Sequence, residues 1–283
     1  MQLSELQAGQ YAAGRVVCGG SWLAPALTMT HLSVEWPRSS VNARARVEVA
    51  TRIASLDVNV RPDYEELRFL LPPDAIPWLA QCRWAEPPQV RVSAALALPA
   101  WTDHSPDWRG AVWPTLRLAG DFAATNVVYR GLRADRVRSS VSRTNRLWRL
   151  PDLELHRPDG GFQAECQMDE ASSGFRARIR STLNPEALRP LLGTNELRAF
   201  DFFSFSVPPS IEAEVHGRLG DGNSLAVRGQ VAMTNFTFKS TPVTAFTSGL
   251  AYSNRFIEAF EPRIWRGTQH LRAAGVAADF NTQ

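Results

Sequence analysis

Along most of the chain, hydrophobic and polar positions alternate with a period of two. Leu56, Val58 and Val60 alternate with Asp57 and Asn59, and Leu116, Leu118, Gly120 and Phe122 alternate with Arg117, Ala119 and Asp121. Successive side chains of a strand point to opposite faces, so each run predicts an antiparallel strand with one apolar face. Turn signals separate the runs. Pro158-Asp159-Gly160-Gly161, Gly220-Asp221-Gly222-Asn223 and the Thr-Asn pairs, Thr125-Asn126 and Thr234-Asn235 among them, offer the positive-φ or side-chain-capped positions of tight reversals. Strands flanking such turns pair as successive hairpins, which predicts a meander.

The period shifts toward that of a helix in two places. Asp63 to Leu71 and Asn184 to Leu192 each open on an N-cap residue type, with carboxylates in the first turn where the helix dipole favours them. A second short helix is expected after each, starting at Asp74 or Asn195 and presenting Ile76 and Leu79, or Leu197 and Phe200, three residues apart. Pro87-Pro88 and Pro208-Pro209 then force the chain into an extended form.

These elements recur. Adding 121 carries Leu32 to Leu153, Asp63 to Asn184, Leu70-Leu71 to Leu191-Leu192, Trp84 to Phe205 and Pro87-Pro88 to Pro208-Pro209. Beyond a longer loop from Pro99 to Pro114, the offset becomes 109: Gly120 goes to Gly229, Thr125-Asn126 to Thr234-Asn235, Tyr129 to Phe238 and Asn145-Arg146 to Asn254-Arg255. Self-similarity at a long period marks a repeat architecture. The expected organisation is one array over 1–283: a partial unit 1–60, helical junction 61–86, unit 87–181, helical junction 182–207 and partial unit 208–283. The first and last matched segments fall in mid-repeat, so the sequence reads as a piece of a longer array, whose ends would need caps.

Amphipathic strands with so few helices pose a burial problem: the sheet has to curl over its own apolar face. The expected fold is mainly β, an elongated, strongly curved antiparallel trough with two short helices at each repeat junction. Its inner face would carry Phe122, Tyr129, Leu155 and Phe162, and their copies Val231, Phe238, Ile264 and Leu271. If the trough closes, these residues form a core; if it stays open, they line an apolar groove suited to acyl chains.

At 44% hydrophobic and 21% charged, the 283-residue chain has globular and not disordered composition. Lys239 is the only lysine, so the net charge of +3 comes almost wholly from arginine. Arginine can recognise phosphate, but here it is scattered through alternating strands, as in Arg176-Ala177-Arg178-Ile179, which fits a solvated strand face. No nucleic-acid partner is expected. Cys18, Cys82 and Cys166 have neither disulfide nor metal spacing. No apolar run reaches the roughly 18 residues of a membrane span, and the start lacks a signal-peptide pattern.

No catalytic constellation stands out, and neither enzymatic activity nor a cofactor is expected. His31, His104, His156, His216 and His270 lie far apart with no zinc spacing. Asp103, His104 and Ser105 are adjacent in the Trp101–Trp108 segment, and adjacent residues rarely converge as a triad. Trp101, Trp108 and Trp113 of this inserted loop are read as rim residues, packing on the sheet or touching a membrane interface. Arg146 and Arg255 are read as turn residues that would form an Arg-lined rim if they meet lipid phosphates.

The succession VVYRGLRADRVRSSVSRTNRLWRLPDLELHRPDGGFQAECQMD, followed by a strand leading into LNPEALRPLLG, resembles the C-terminal region of AsmA-like proteins, envelope proteins of Gram-negative-type bacteria related to the TamB group. The resemblance covers Leu116 to Gly193 well and the second copy more loosely, and it rests on alternation and turns. It implies an elongated β-trough with a hydrophobic groove, lying in the periplasm and tied to the inner membrane by an anchor not in this chain. It further implies a role in outer-membrane biogenesis or phospholipid transport between membranes, with phospholipid or another acyl-chain lipid as partner. A structural or protein-binding envelope module with a closed core is the competing expectation.

Overall fold

The computed structural model describes residues 2–8, 11–68, 76–191, 197 and 200–279. Strand accounts for 67% of the chain and helices are few and short, so the protein is mainly β. It divides into two compact units: one runs to Val127 and includes Arg138–Arg149, and the other comprises Val128–Val137 and Leu150 onward.

In the first unit, β1 (Gln2–Ala8), β2 (Tyr11–Leu23), β3 (Ala26–Glu35), β4 (Ser40–Glu48) and β5 (Ile53–Arg61) pair in chain order as antiparallel neighbours. The next neighbour of β5 is β7 (Gln89–Ala97), which pairs with β8 (Arg117–Tyr129). The short β6 (Cys82–Trp84) also pairs with β8, so Pro87-Pro88 interrupts what is otherwise one line of pairing. Proline lacks the amide hydrogen a ladder needs, which is why the break falls there.

Strands β9 (Leu132–Thr144) and β10 (Leu147–Arg157) belong partly to each unit. In the second unit, β11 (Gly160–Asp169), β12 (Gly174–Ser181), β14 (Ser210–Arg218), β15 (Asp221–Phe238), β16 (Thr241–Ser253) and β17 (Phe256–Arg266) pair successively. Here β13 (Phe203–Phe205) pairs with β15, with Pro208-Pro209 between β13 and β14. At the far edge, β18 (Gln269–Arg272) and β19 (Gly275–Asp279) both pair with β17. Each unit is an open, curved antiparallel sheet.

The helices between β5 and β6 are α1 (Tyr64–Leu67) and α2 (Ile76–Leu79). Asp63 caps α1, its Oδ1 accepting from the Glu65 N–H at 3.1 Å, and Leu67 is buried. The expected continuation to Leu71, and the starts at Asp74 and Asn195, lie outside the described residues. Between β12 and β13 the Asn184 segment is a 3₁₀-helix over Pro185–Leu191 and not an α-helix, with Asn184 Oδ1 accepting from the Glu186 N–H at 3.0 Å. Pro185 and Pro190 remove two amide donors, so the longer α ladder has little to hold it.

One turn reading needs correction. Thr125-Asn126 and Thr234-Asn235 lie inside β8 and β15, not at reversals. Asn126 and Asn235 do take positive φ, 51° and 49°, and the chain then runs on to reverse at Arg130-Gly131 and Lys239-Ser240. Asn tolerates the left-handed region by bonding locally, and that tolerance serves a kink within a strand as well as a turn. Positive φ recurs 109 residues apart at Asn126 and Asn235, Arg130 and Lys239, Asn145 and Asn254, and Arg146 and Arg255.

Gly120 and Gly229, also 109 apart, mark close strand approaches. A Cβ on Gly120 would lie 2.3 Å from the Arg91 carbonyl oxygen, and one on Gly229 would lie 2.2 Å from that of Glu212. Only glycine lets the neighbouring strands come that near.

Candidate functional site

Cross-strand register sorts the residues of each sheet onto two faces. In the first unit Ala43 pairs with Val58, Val58 with Val92 and Val92 with Gly120; one step along, Val41, Val60, Val90 and Phe122 form a parallel row. Leu32 and Val34 extend these rows on β3. The opposite face holds Asn42, Arg44, Asp57, Asn59, Arg91, Ser93 and Asp121 at the alternate positions. Ser93 donates to Asp57 Oδ1 at 2.6 Å there, joining β7 to β5 across the polar face.

The second unit repeats the division. Phe175, Ala177 and Ile179 of β12 face Met168, Cys166 and Ala164 on one side and Gly217, Val215 and Ala213 on the other, and Ile211 pairs with Val231. On the reverse face Arg176, Arg178 and Arg180 bridge to Glu214, Glu165 and Glu212 at 2.9–3.4 Å. Arg176 and Arg178 donate to Glu214 and pull its carboxyl below the ordinary range. Exposed pairs of this kind, screened by water and salt, order a surface and do not hold a fold.

The apolar faces are covered only in part. Ala43, Ala164 and Ala213 are buried, but Val41, Val58, Val60, Val90, Val92 and Phe122 stay half-exposed, and Leu56 is exposed. A closed sandwich would bury those valines fully. Recesses of 740 Å³, lined by Glu212, Arg228 and Arg263 with Val231 and Phe260, and of 430 Å³, lined by Arg44, Asp57 and Arg91 with Leu32, Val58 and Val92, mix charged and apolar groups.

Among the eight residues expected to line a groove, Phe122, Phe162 and Val231 sit in the apolar rows and are half-buried. Tyr129 and Leu155 are also half-buried. Ile264 faces Phe246 on β16 and Leu271 on β18, and Leu271, on an edge strand, is 66% exposed. Phe238 lies past the Asn235 kink and joins an aromatic cluster instead: its ring centroid is 5.1 Å from Phe203 and 6.4 Å from Phe202, with the Lys239 ammonium 4.9 Å above Phe202.

Among the expected rim residues, Arg146 and Arg255 are exposed turn positions at φ 66° and 59°, each after an Asn at positive φ, the pattern of a two-residue type I′ hairpin. The Trp101 indole N–H donates to the Val49 carbonyl at 3.0 Å. In the same loop the Asp103 and Asp107 carboxylates accept from the Ser105 and Gly110 N–H groups at 3.0 and 2.7 Å. A π-helical turn, Trp108–Val112, and a 3₁₀ turn, Trp113–Thr115, lead into β8.

Sequence reasoning missed Arg143. It is the largest fully buried side chain described, at 0% exposure, and donates to the Leu116 carbonyl at 2.6 Å. Its guanidinium lies 5.2 Å from the Trp113 ring centre and 5.9 Å from that of Trp148. The signal was its position two and six residues past Val141 and Val137, on the half-buried side of β9.

No cluster of three or more metal-ligating side chains occurs among the described residues. Burial raises the Cys82 and Cys166 thiols above their ordinary range, so neither has thiolate character at neutral pH. No helix among the described residues is long and apolar enough to cross a membrane. Neither the protein-family models nor the curated proteins nor the solved structures give a match to this chain.

Proposed function

We propose that the apolar sheet faces of this chain hold acyl chains of phospholipid or a related lipid, and that it is a non-enzymatic, AsmA-like envelope segment of a repeating β-groove. The supporting observation is the half-exposed row Val41, Val60, Val90 and Phe122, beside the row Ala43, Val58 and Val92. Water gains nothing from such a surface, whereas an acyl chain laid along it gains about 0.8 kcal/mol per buried methylene. The opposite face carries Arg44, Asp57, Arg91 and Asp121, whose charges an acyl chain would have to desolvate, so it offers lipid no comparable gain. In this reading the protein works in the periplasm, in outer-membrane biogenesis or phospholipid transport, tied to the inner membrane by an anchor outside this chain.

The test is uptake of a spin-labelled phospholipid by the purified chain, with native mass spectrometry of the product. Val58→Thr combined with Val92→Thr keeps shape while placing two hydroxyls in the apolar rows, and should weaken uptake several-fold with the fold intact. Phe122→Asp should abolish uptake and also destabilise, since it places a charge among half-buried apolar groups. Asp121→Ser, on the opposite face, should change neither. A chain that takes up no lipid, or one whose threonine variant binds as the parent does, refutes the reading and leaves a structural or protein-binding module.

A further inference from the structure

The loops at one end of the first unit are joined by hydrogen bonds. The Val49 N–H donates to the Pro25 carbonyl at 2.8 Å, the Leu98 N–H to Arg52 at 2.7 Å, and the Trp101 indole to Val49 at 3.0 Å. The Ala97 N–H donates to Thr115 Oγ1 at 2.9 Å, and Thr115 Oγ1 donates to the Val112 carbonyl at 2.8 Å, drawing the Trp108–Thr115 turns to the same end.

This end gathers exposed large apolar side chains: Leu23 at 80%, Trp22 at 59%, Trp101 at 56%, Trp108 at 55% and Trp113 at 52%. Trp22 and Leu23 end β2, and Trp101, Trp108 and Trp113 belong to the connection between β7 and β8, so two segments present them. Soluble surfaces expose isolated apolar residues, but four tryptophans at one end are not isolated. Charge sorts the occupant further. The Asp103 and Asp107 carboxylates are engaged by backbone N–H groups and Glu48 by Arg46, whereas Arg52 and Arg109 are exposed with no carboxylate partner among the described residues. Indole rings with a polar N–H, interleaved with free guanidinium groups, match the boundary between acyl chains and phosphates of a bilayer.

We infer that this end of the first unit docks on a phospholipid bilayer surface, with Leu23, Trp22 and Trp108 entering the headgroup–acyl boundary and Arg52 and Arg109 meeting phosphates. The inference does not depend on lipid held along the sheet face. Recruitment by the tip and occupancy of the face are separate events with separate variants.

The experiment is co-sedimentation of the full chain with phosphatidylcholine vesicles, alongside tryptophan quenching by phosphatidylcholine brominated on its acyl chains. The parent should partition onto vesicles, resist ~0.5 M salt because apolar insertion is not screened, and be quenched. Leu23→Ser with Trp108→Ser, neither of whose side chains hydrogen-bonds within the loops, should lower the partition coefficient at least about tenfold with an unchanged melting curve. Leu219→Ser, exposed in the second unit, should partition as the parent does. Val58→Thr with Val92→Thr should keep vesicle binding even where lipid uptake is lost, which separates failure of the two readings. Absence of vesicle binding, binding unchanged in the tip variant, or self-association relieved by the tip variant without vesicle binding each overturns the inference.

Discussion

Replacing Gly229 with alanine adds one methyl group at the tightest approach between β14 and β15. The new Cβ would meet the Glu212 carbonyl oxygen at 2.2 Å and the Cα and Cβ of Ala213 at 2.7 Å. These are backbone-anchored atoms, so no rotamer change relieves the contact, and the strands have to part by roughly an ångström to restore ordinary separation. Parting them weakens ladder hydrogen bonds around the Ala213–Gly229 pair, each worth about 1 kcal/mol, while the loss of glycine's freedom in the unfolded chain returns ~0.4–1 kcal/mol. The net expectation is a loss of about 1–3 kcal/mol, or a fall of roughly 2–10 °C in melting temperature for a unit of this size. Gly222→Ala is the control, because nothing lies within 4 Å of its added Cβ, and it should be neutral or slightly stabilising. Urea denaturation followed by circular dichroism reads both. If Gly229→Ala melts at or above the parent, the strands there have slack, and the glycine is not what permits their approach.

Four further outcomes are expected. Arg143→Met keeps most of the stem's volume but removes the donor to the Leu116 carbonyl; urea unfolding should show a loss of about 2–3 kcal/mol, and a loss under ~0.5 kcal/mol would mean that water replaces the guanidinium. Arg255→Gly relieves left-handed strain at φ 59°, a gain partly offset by glycine's backbone entropy, so the melting temperature should hold or rise by a degree or two; a clear fall would assign the Arg255 side chain a contact of its own. The arginine-held carboxylates of Asp159 and Glu214 sit below their ordinary range, so their stabilisation is complete above the unfolded-state values and is lost as pH falls through the folded ones. Stability should therefore be flat from neutrality to about pH 5 and decline below about pH 4, and Glu214→Gln should soften that acid limb; an identical limb in the variant would remove Glu214 from the account.

The strands were legible because the period of two is written in the residues themselves: Leu56, Val58 and Val60 fall on one side of β5 as their spacing requires. The kinks at Asn126 and Asn235 were not legible as kinks, since the same left-handed asparagine serves a turn at Asn145 and an uninterrupted strand at Asn126. Helix type was not legible at Asn184, where the cap and the carboxylate were present but two prolines decide between α and 3₁₀. Arg143 escaped because arginine in an alternating strand reads as solvated. Its burial depends on Trp113, thirty residues upstream, which no local pattern connects to it. For the apolar face, sequence indicated which residues share a row, but how fully each row is covered depends on strands and loops distant along the chain.

The alternation that puts every second residue on the apolar face constrains how this chain can change length. A hairpin may gain or lose residues in pairs, because two residues restore the face; a single insertion sends every following side chain of that strand to the wrong side. The register shifts by one at three places: Thr30 is the extra residue of β3 opposite Gly19-Gly20, Thr30-His31 stand opposite Arg44 of β4, and Glu261-Pro262 of β17 stand opposite Ser248 of β16. The extra residues thus lie in β3 and β17, where a bulge lets the strand regain its face, and variants of this protein with single-residue insertions elsewhere in a strand should be rare unless a bulge accompanies them.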